Sequence, residues 1–168
     1  TLSVRCAMVS RSIRNSMDKV LFCTVLIVSS FVLEEGCTDI ELDGSLLAQS
    51  DPGDFALYVS NQSFDIDPVQ IMVYLDGKMA VNQQFRVETQ HNHVLFRFSL
   101  GMGPHTIYAV TRTGQSETKQ AFKLPETPWC VVNFWYYPDD GRYPIPTARQ
   151  FTVDFFDTSP SFAKRISR

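Results

Sequence analysis

The sequence lacks several things, and each lack removes a class of function. Its 168 residues hold four cysteines, at positions 6, 23, 37 and 130, and no CxxC pair, so a zinc cluster or a thioredoxin-like couple finds no support. There is no GxSxG, GxGxxG, Walker loop or HExxH, the local arrangements that set up a serine nucleophile, a dinucleotide, a nucleotide phosphate or a catalytic zinc. No motif calls for a cofactor or a metal, and an enzyme is not expected. Charged residues make up 20% of the chain, with a net charge of -3 and no basic cluster in its body. Nucleic acid is thereby disfavoured as the main partner, because neutralising phosphates takes a patch of Lys and Arg. Beyond residue 36 no stretch carries the period of an amphipathic helix.

What is present is apolar and alternating. Hydrophobic residues reach 44% and aromatics 12%, including 13 Phe, enough to fill the core of one domain. From Val69 to Leu75 apolar side chains recur at every second position, Asp76-Gly77 interrupts, and a return strand follows from Lys78. Asp-Gly takes the positive φ at both central positions that a type I′ hairpin turn requires. The same alternation recurs at Phe55–Ser60, Val94–Leu100, His105–Arg112, Glu117–Leu124 and Gln150–Phe156, while Trp129–Tyr137 is apolar on both parities, as a strand covered on both faces is. About nine strands at intervals of roughly 8 to 12 residues predict an all-β, antiparallel two-sheet β-sandwich.

The first 36 residues read as a leader. Arg11, Arg14 and Lys19 precede the apolar run Val20–Leu33, an n-region and an h-region. That run is shorter than the about 20 helical residues a bilayer crossing needs, so a cleaved signal helix is expected. Gly36-Cys37 at its end resembles the bacterial lipobox, which implies diacylglycerol on the Cys37 thiol and a mature chain beginning there. Glu34 and Glu35 stand where a lipobox carries Leu and a small residue, so cleavage nearby or an uncleaved leader stay open. A Cys37–Cys130 disulfide would compete for the same sulfur. The expected organisation is a leader over 1–36, an arm and first strand over 37–54, the sandwich over 55–158 and a flexible tail over 159–168.

The segment from Val73 to Val110, with VYLDGK and then Leu100, Gly103, His105 and Ile107, is similar to immunoglobulin-like and fibronectin-III-like modules, including bacterial surface domains of the PEGA type. The resemblance implies an immunoglobulin-like sandwich in an exported bacterial lipoprotein. The Cys…Trp…Cys spacing of antibody domains is missing, and Thr106 stands where fibronectin III has its corner tyrosine.

Candidate chemistry is sparse. His91 and His93 share a parity but have no third ligand nearby, and read as solvated loop residues. Asp65 and Asp67, and Asp139-Asp140-Gly141, suit turns better than calcium. Asn61-Gln62-Ser63 matches a glycosylation sequon. The aromatic run around Trp129–Tyr137 leads into the proline-rich loop 138–146. Trp129, Trp135 and Tyr137 share a parity with Val131 and are expected in the core. The candidate ligand-binding residues are Tyr136, Tyr137, Asp139, Asp140, Arg142 and Tyr143, because Tyr rings stack on apolar sugar faces while Asp and Arg hold hydroxyls. The sequence thus predicts an exported binding or structural module at the cell envelope, membrane-attached through its leader or a lipid on Cys37, with an envelope protein or glycan as partner. Two alternatives are a carbohydrate-binding module that uses the Tyr/Trp-rich strand and the 138–146 loop, and a hydrolase whose carboxylate pair is assembled in space.

Overall fold

Alternation at period two becomes nine strands in the computed structural model, which describes residues 41–87 and 92–162. The leader 1–36, Cys37, His91 and the tail beyond residue 162 lie outside the described residues. The strands are β1 (Asp43–Leu46), β2 (Phe55–Asn61), β3 (Val69–Leu75), β4 (Lys78–Phe85), β5 (Val94–Phe98), β6 (Gly103–Thr111), β7 (Ser116–Leu124), β8 (Trp129–Tyr137) and β9 (Thr147–Phe156). The described chain is all-β, with a five-stranded sheet in the order β1-β4-β3-β6-β7 and a four-stranded sheet in the order β5-β2-β8-β9. Asp76 and Gly77 join β3 to β4 with φ of 49° and 79°, the left-handed pair that the Asp-Gly dipeptide predicts.

Two pairings correct the antiparallel expectation. β1 runs parallel to β4, and β2 runs parallel to β8 from Ala56↔Trp129 to Asn61↔Phe134. A tight hairpin would place β3 beside β2, but β3 belongs to the other sheet. β2 therefore takes its neighbours from β5 and from β8, and the chain between β2 and β8 serves as the long crossover a parallel pair needs.

The two sheets share one core. Phe55, Leu57 and Val59 of β2 and Cys130, Val132 and Phe134 of β8 meet Ile71, Val73, Ile107, Ala109 and Phe122 of the other sheet, all buried. β2 is buried at all seven positions, so it is covered on its outer side as well. A smaller cluster does this: Tyr58 and Val131 are buried under Leu95, Trp129 and Phe162. The Phe162 ring stacks on His93 with centroids 4.3 Å apart and meets the Tyr58 ring edge-on at 5.2 Å. The start of the expected flexible tail is thus docked, with Pro160 buried, and His93 is half-buried against it and bonded to Asn133. Its expectation as a solvated loop residue is corrected by that stacking.

β8 carries a second correction. Trp129, Trp135 and Tyr137 are half-buried on the outer face, and the core side of the strand is Cys130, Val132 and Phe134. The sulfur and the branched and phenyl side chains fit between the sheets, whereas the other parity includes Asn133, whose amide bonds His93 at 3.1 Å. The sequon is likewise closed: Asn61 is fully buried, its amide donating to the carbonyls of Ile66 at 2.8 Å and Phe85 at 3.4 Å. Cys130 is a free thiol at the centre of the core, and burial, with the Asp154 charge behind it, holds it protonated.

Candidate functional site

Where β8 leaves the core its outer-face rings come together with two loops. Trp135 pairs in register with Gln150 and Tyr137 with Thr147, so β9 has one residue more than β8 between these pairs. Such a bulge turns a strand and re-aims its side chains. The Trp135 and Tyr137 rings end 6.2 Å apart at 63°, and Tyr143, brought over by the 138–146 loop, lies 4.7 Å from Tyr137 at 40°.

The second loop follows β2 and is held by buried polar groups. The Ser63 hydroxyl donates to the Tyr136 carbonyl at 2.9 Å and accepts the Ile66 N–H, and Gln62 N–H donates to the Phe134 carbonyl at 2.8 Å. Tyr137 Oη in turn donates to the Gln62 carbonyl at 2.7 Å. These bonds fix Phe64 and Asp65 beside the end of β8.

The result is an open groove of about 540 Å³ on the outer face of the four-stranded sheet, lined by Phe64, Trp135, Tyr137, Tyr143, Pro144 and Ile145 with Thr147, Gln150 and Thr152. Its volume falls in the range of small-ligand sites. Ile145 is 74% exposed and Phe64 50%, so large apolar side chains stand in water at its rim, an arrangement that marks interaction surfaces. None of the nine lining residues is charged.

Charge sits just outside. The Arg142 guanidinium lies 2.6 Å from Asp65 Oδ1 and 2.6 Å from Asp140 Oδ2, and its carbon is 5.6 Å from the Tyr143 ring centre. The hydrogen bond from Arg142 holds the Asp140 carboxyl below its ordinary pKa. Asp65 is only 12% exposed, and its Oδ2 is buried without a well-formed hydrogen bond. Interaction with this carboxylate raises the pKa of the Tyr143 phenol, and burial, followed by the Asp65 charge, raises that of Tyr137.

Of the six candidate residues read from the sequence, Tyr137 and Tyr143 line the groove, and Asp140 and Arg142 brace its loop. Asp139 is exposed on that loop. Tyr136 has the opposite parity, packs against the core and carries the Arg149 guanidinium 4.9 Å from its ring centre. Asp67 Oδ1 accepts the Val87 N–H at 3.2 Å. Sequence reasoning missed Phe64, Thr147, Gln150 and Thr152, reached Ile145 only as part of the 138–146 loop, and placed Trp135 in the core. The signal available for Trp135 was Asn133 on its own parity.

Asp65 and Asp140 both grip the one Arg142 guanidinium. Comparison of the chain with protein-family models, with curated proteins and with solved structures finds no match.

Proposed function

We propose that this chain is an exported, non-enzymatic binding module of the immunoglobulin-like sandwich kind, attached at the cell envelope through its N-terminal segment, with Cys37 as the point of lipid attachment. Its ligand, an envelope protein or glycan, lies in the groove between Phe64 and Tyr143. The observation that carries this reading is the uncharged, aromatic-walled groove whose loops are fixed by buried hydrogen bonds and the Asp65–Arg142–Asp140 ion pairs. A site held in shape before binding loses less entropy on association, and aromatic walls select ligands with flat C–H faces.

The test uses the chain as recovered from its host, with Trp129→Phe leaving Trp135 as the sole indole. Neutral oligosaccharides and apolar peptides are titrated while Trp135 emission is followed. A saturable change that is weakened in Tyr143→Ala supports the reading; emission unaffected by every ligand refutes it. The mass of the N-terminal peptide tests the attachment: a diacylated Cys37 is expected, and an unmodified N-terminus cut elsewhere removes the lipid.

A further inference from the structure

Resting on the groove as the binding site, we infer that its ligand is a polyproline II segment of a polypeptide. Three observations select it over a sugar chain.

The first is the state of the polar atoms. Trp135 Nε1 donates to Thr152 Oγ1 at 3.1 Å, and Tyr137 Oη donates to the Gln62 carbonyl at 2.7 Å. The indole N–H and the Tyr137 hydroxyl therefore already serve the protein. The side chains of Thr147 and Gln150 and the hydroxyl proton of Thr152 are left to meet a ligand. A pyranose brings several hydroxyls that each donate and accept, and polar groups left unpaired on docking weaken a complex. A proline has no N–H. Its carbonyls ask only for donors, and the Gln150 amide and the threonine hydroxyls are donors.

The second is ring geometry. Interplanar angles of 63° and 40° between successive rings make a ridged wall with notches, not a level platform. A polyproline II helix has three residues per turn and a rise of about 3.1 Å, so it presents pyrrolidine rings as repeated ridges that enter notches of this kind.

The third is charge. No lining residue is charged, and Arg142, on the same loop as Tyr143, is held between Asp65 and Asp140. The site makes no demand for a phosphate, a carboxylate or an amine. It suits an uncharged segment that is already extended, which loses little conformational freedom on docking.

The test is a titration of the full chain carrying Trp129→Phe with three probes: a ten-residue oligoproline, a Gly-Ser peptide of equal length and a neutral hexasaccharide. Oligoproline is expected to shift Trp135 emission saturably, with Tyr143→Ala and the rim variant Ile145→Ser each weakening it by about tenfold. Circular dichroism checks that both variants stay folded, and the Gly-Ser peptide is expected to leave the emission unchanged. A hexasaccharide that binds with the same dependence on Tyr143, while oligoproline does not, overturns the ligand class and leaves the groove as the site. Emission that none of the probes moves overturns the ligand class and the site together.

Discussion

Asp76 Oδ2 and His105 Nδ1 stand 2.7 Å apart, joining the β3–β4 turn to the start of β6. The same carboxylate accepts the Thr106 N–H at 2.7 Å, and His105 Nε2 lies 3.2 Å from the Gly101 carbonyl. Both ring nitrogens thus face acceptors, an environment for the doubly protonated ring. Burial opposes that charge, but the hydrogen bonds to Asp76 and Gly101 and the charges of Asp76 and Asp54 outweigh it, so the pKa is raised. A raised folded value means that the contribution to stability is full below the unfolded pKa of about 6.5 and is lost as pH rises through the folded one. Urea unfolding of the wild type and His105→Gln between pH 5 and 9 is expected to show a stability gap that is widest at the acid end. A gap of constant size would refute the charged pair.

Gly53 is required for space. A methyl group there would lie 2.5 Å from the Phe98 carbonyl oxygen and 2.9 Å from the Phe98 backbone nitrogen, whereas at Gly44 nothing lies within 4 Å. Backbone cannot step aside as a side chain can, so Gly53→Ala is expected to lower stability by about 1–3 kcal/mol. Gly44→Ala is expected to change it by less than about 0.5 kcal/mol. Chemical denaturation of the two variants compares them directly.

These residues show where the sequence was informative. Local rules recovered what is local: the Asp76-Gly77 turn, the parities of β3 and β5, and the limits of β8 at Trp129 and Tyr137. The partner of a strand is not local. Nothing in Phe55–Asn61 states that its neighbour is Trp129–Tyr137 running the same way, because backbone hydrogen bonding is indifferent to side-chain identity. The facing of β8 was misjudged because aromatic bulk looks like core, although Asn133 marked the outer side. The groove was half legible: Tyr137 and Tyr143 are rich in signal, while Phe64, Gln150 and Thr152 join them only through tertiary contacts.

Phe162 covers Tyr58, and the Tyr58 phenol has a pKa raised by burial against an opposing effect of Arg97. In Phe162→Ala water reaches that ring. The Tyr58 pKa is expected to fall toward about 10, and stability to drop by about 1–2 kcal/mol for the lost ring contacts. Ultraviolet titration of phenolate absorbance and urea unfolding measure the two effects. An unchanged titration would show that the Phe162 cover is incidental.

Arg142→Gln removes the partner shared by Asp65 and Asp140. Since Asp65 is the buried member, the loss of stability is expected to exceed that in Asp140→Asn, which leaves the Arg142–Asp65 pair intact. The Asp140 carboxyl, held low by Arg142, is expected to titrate closer to an ordinary aspartate in Arg142→Gln. Carboxyl carbon shifts followed against pH report it, and an unmoved Asp140 would disprove the bridge.

The parallel pairing of β2 with β8 also sets an order of events for a chain made from its N-terminus. β3, β4, β6 and β7 can zip into the larger sheet as soon as residue 124 has emerged, whereas β2 has only β5 beside it until β8 arrives. Until then a strand buried at all seven of its positions in the finished fold carries an unsatisfied edge, the state in which polypeptides associate wrongly. Late completion of this kind, characteristic of folds rich in distant contacts, makes the arrival of β8 the step that commits the whole domain to its native form.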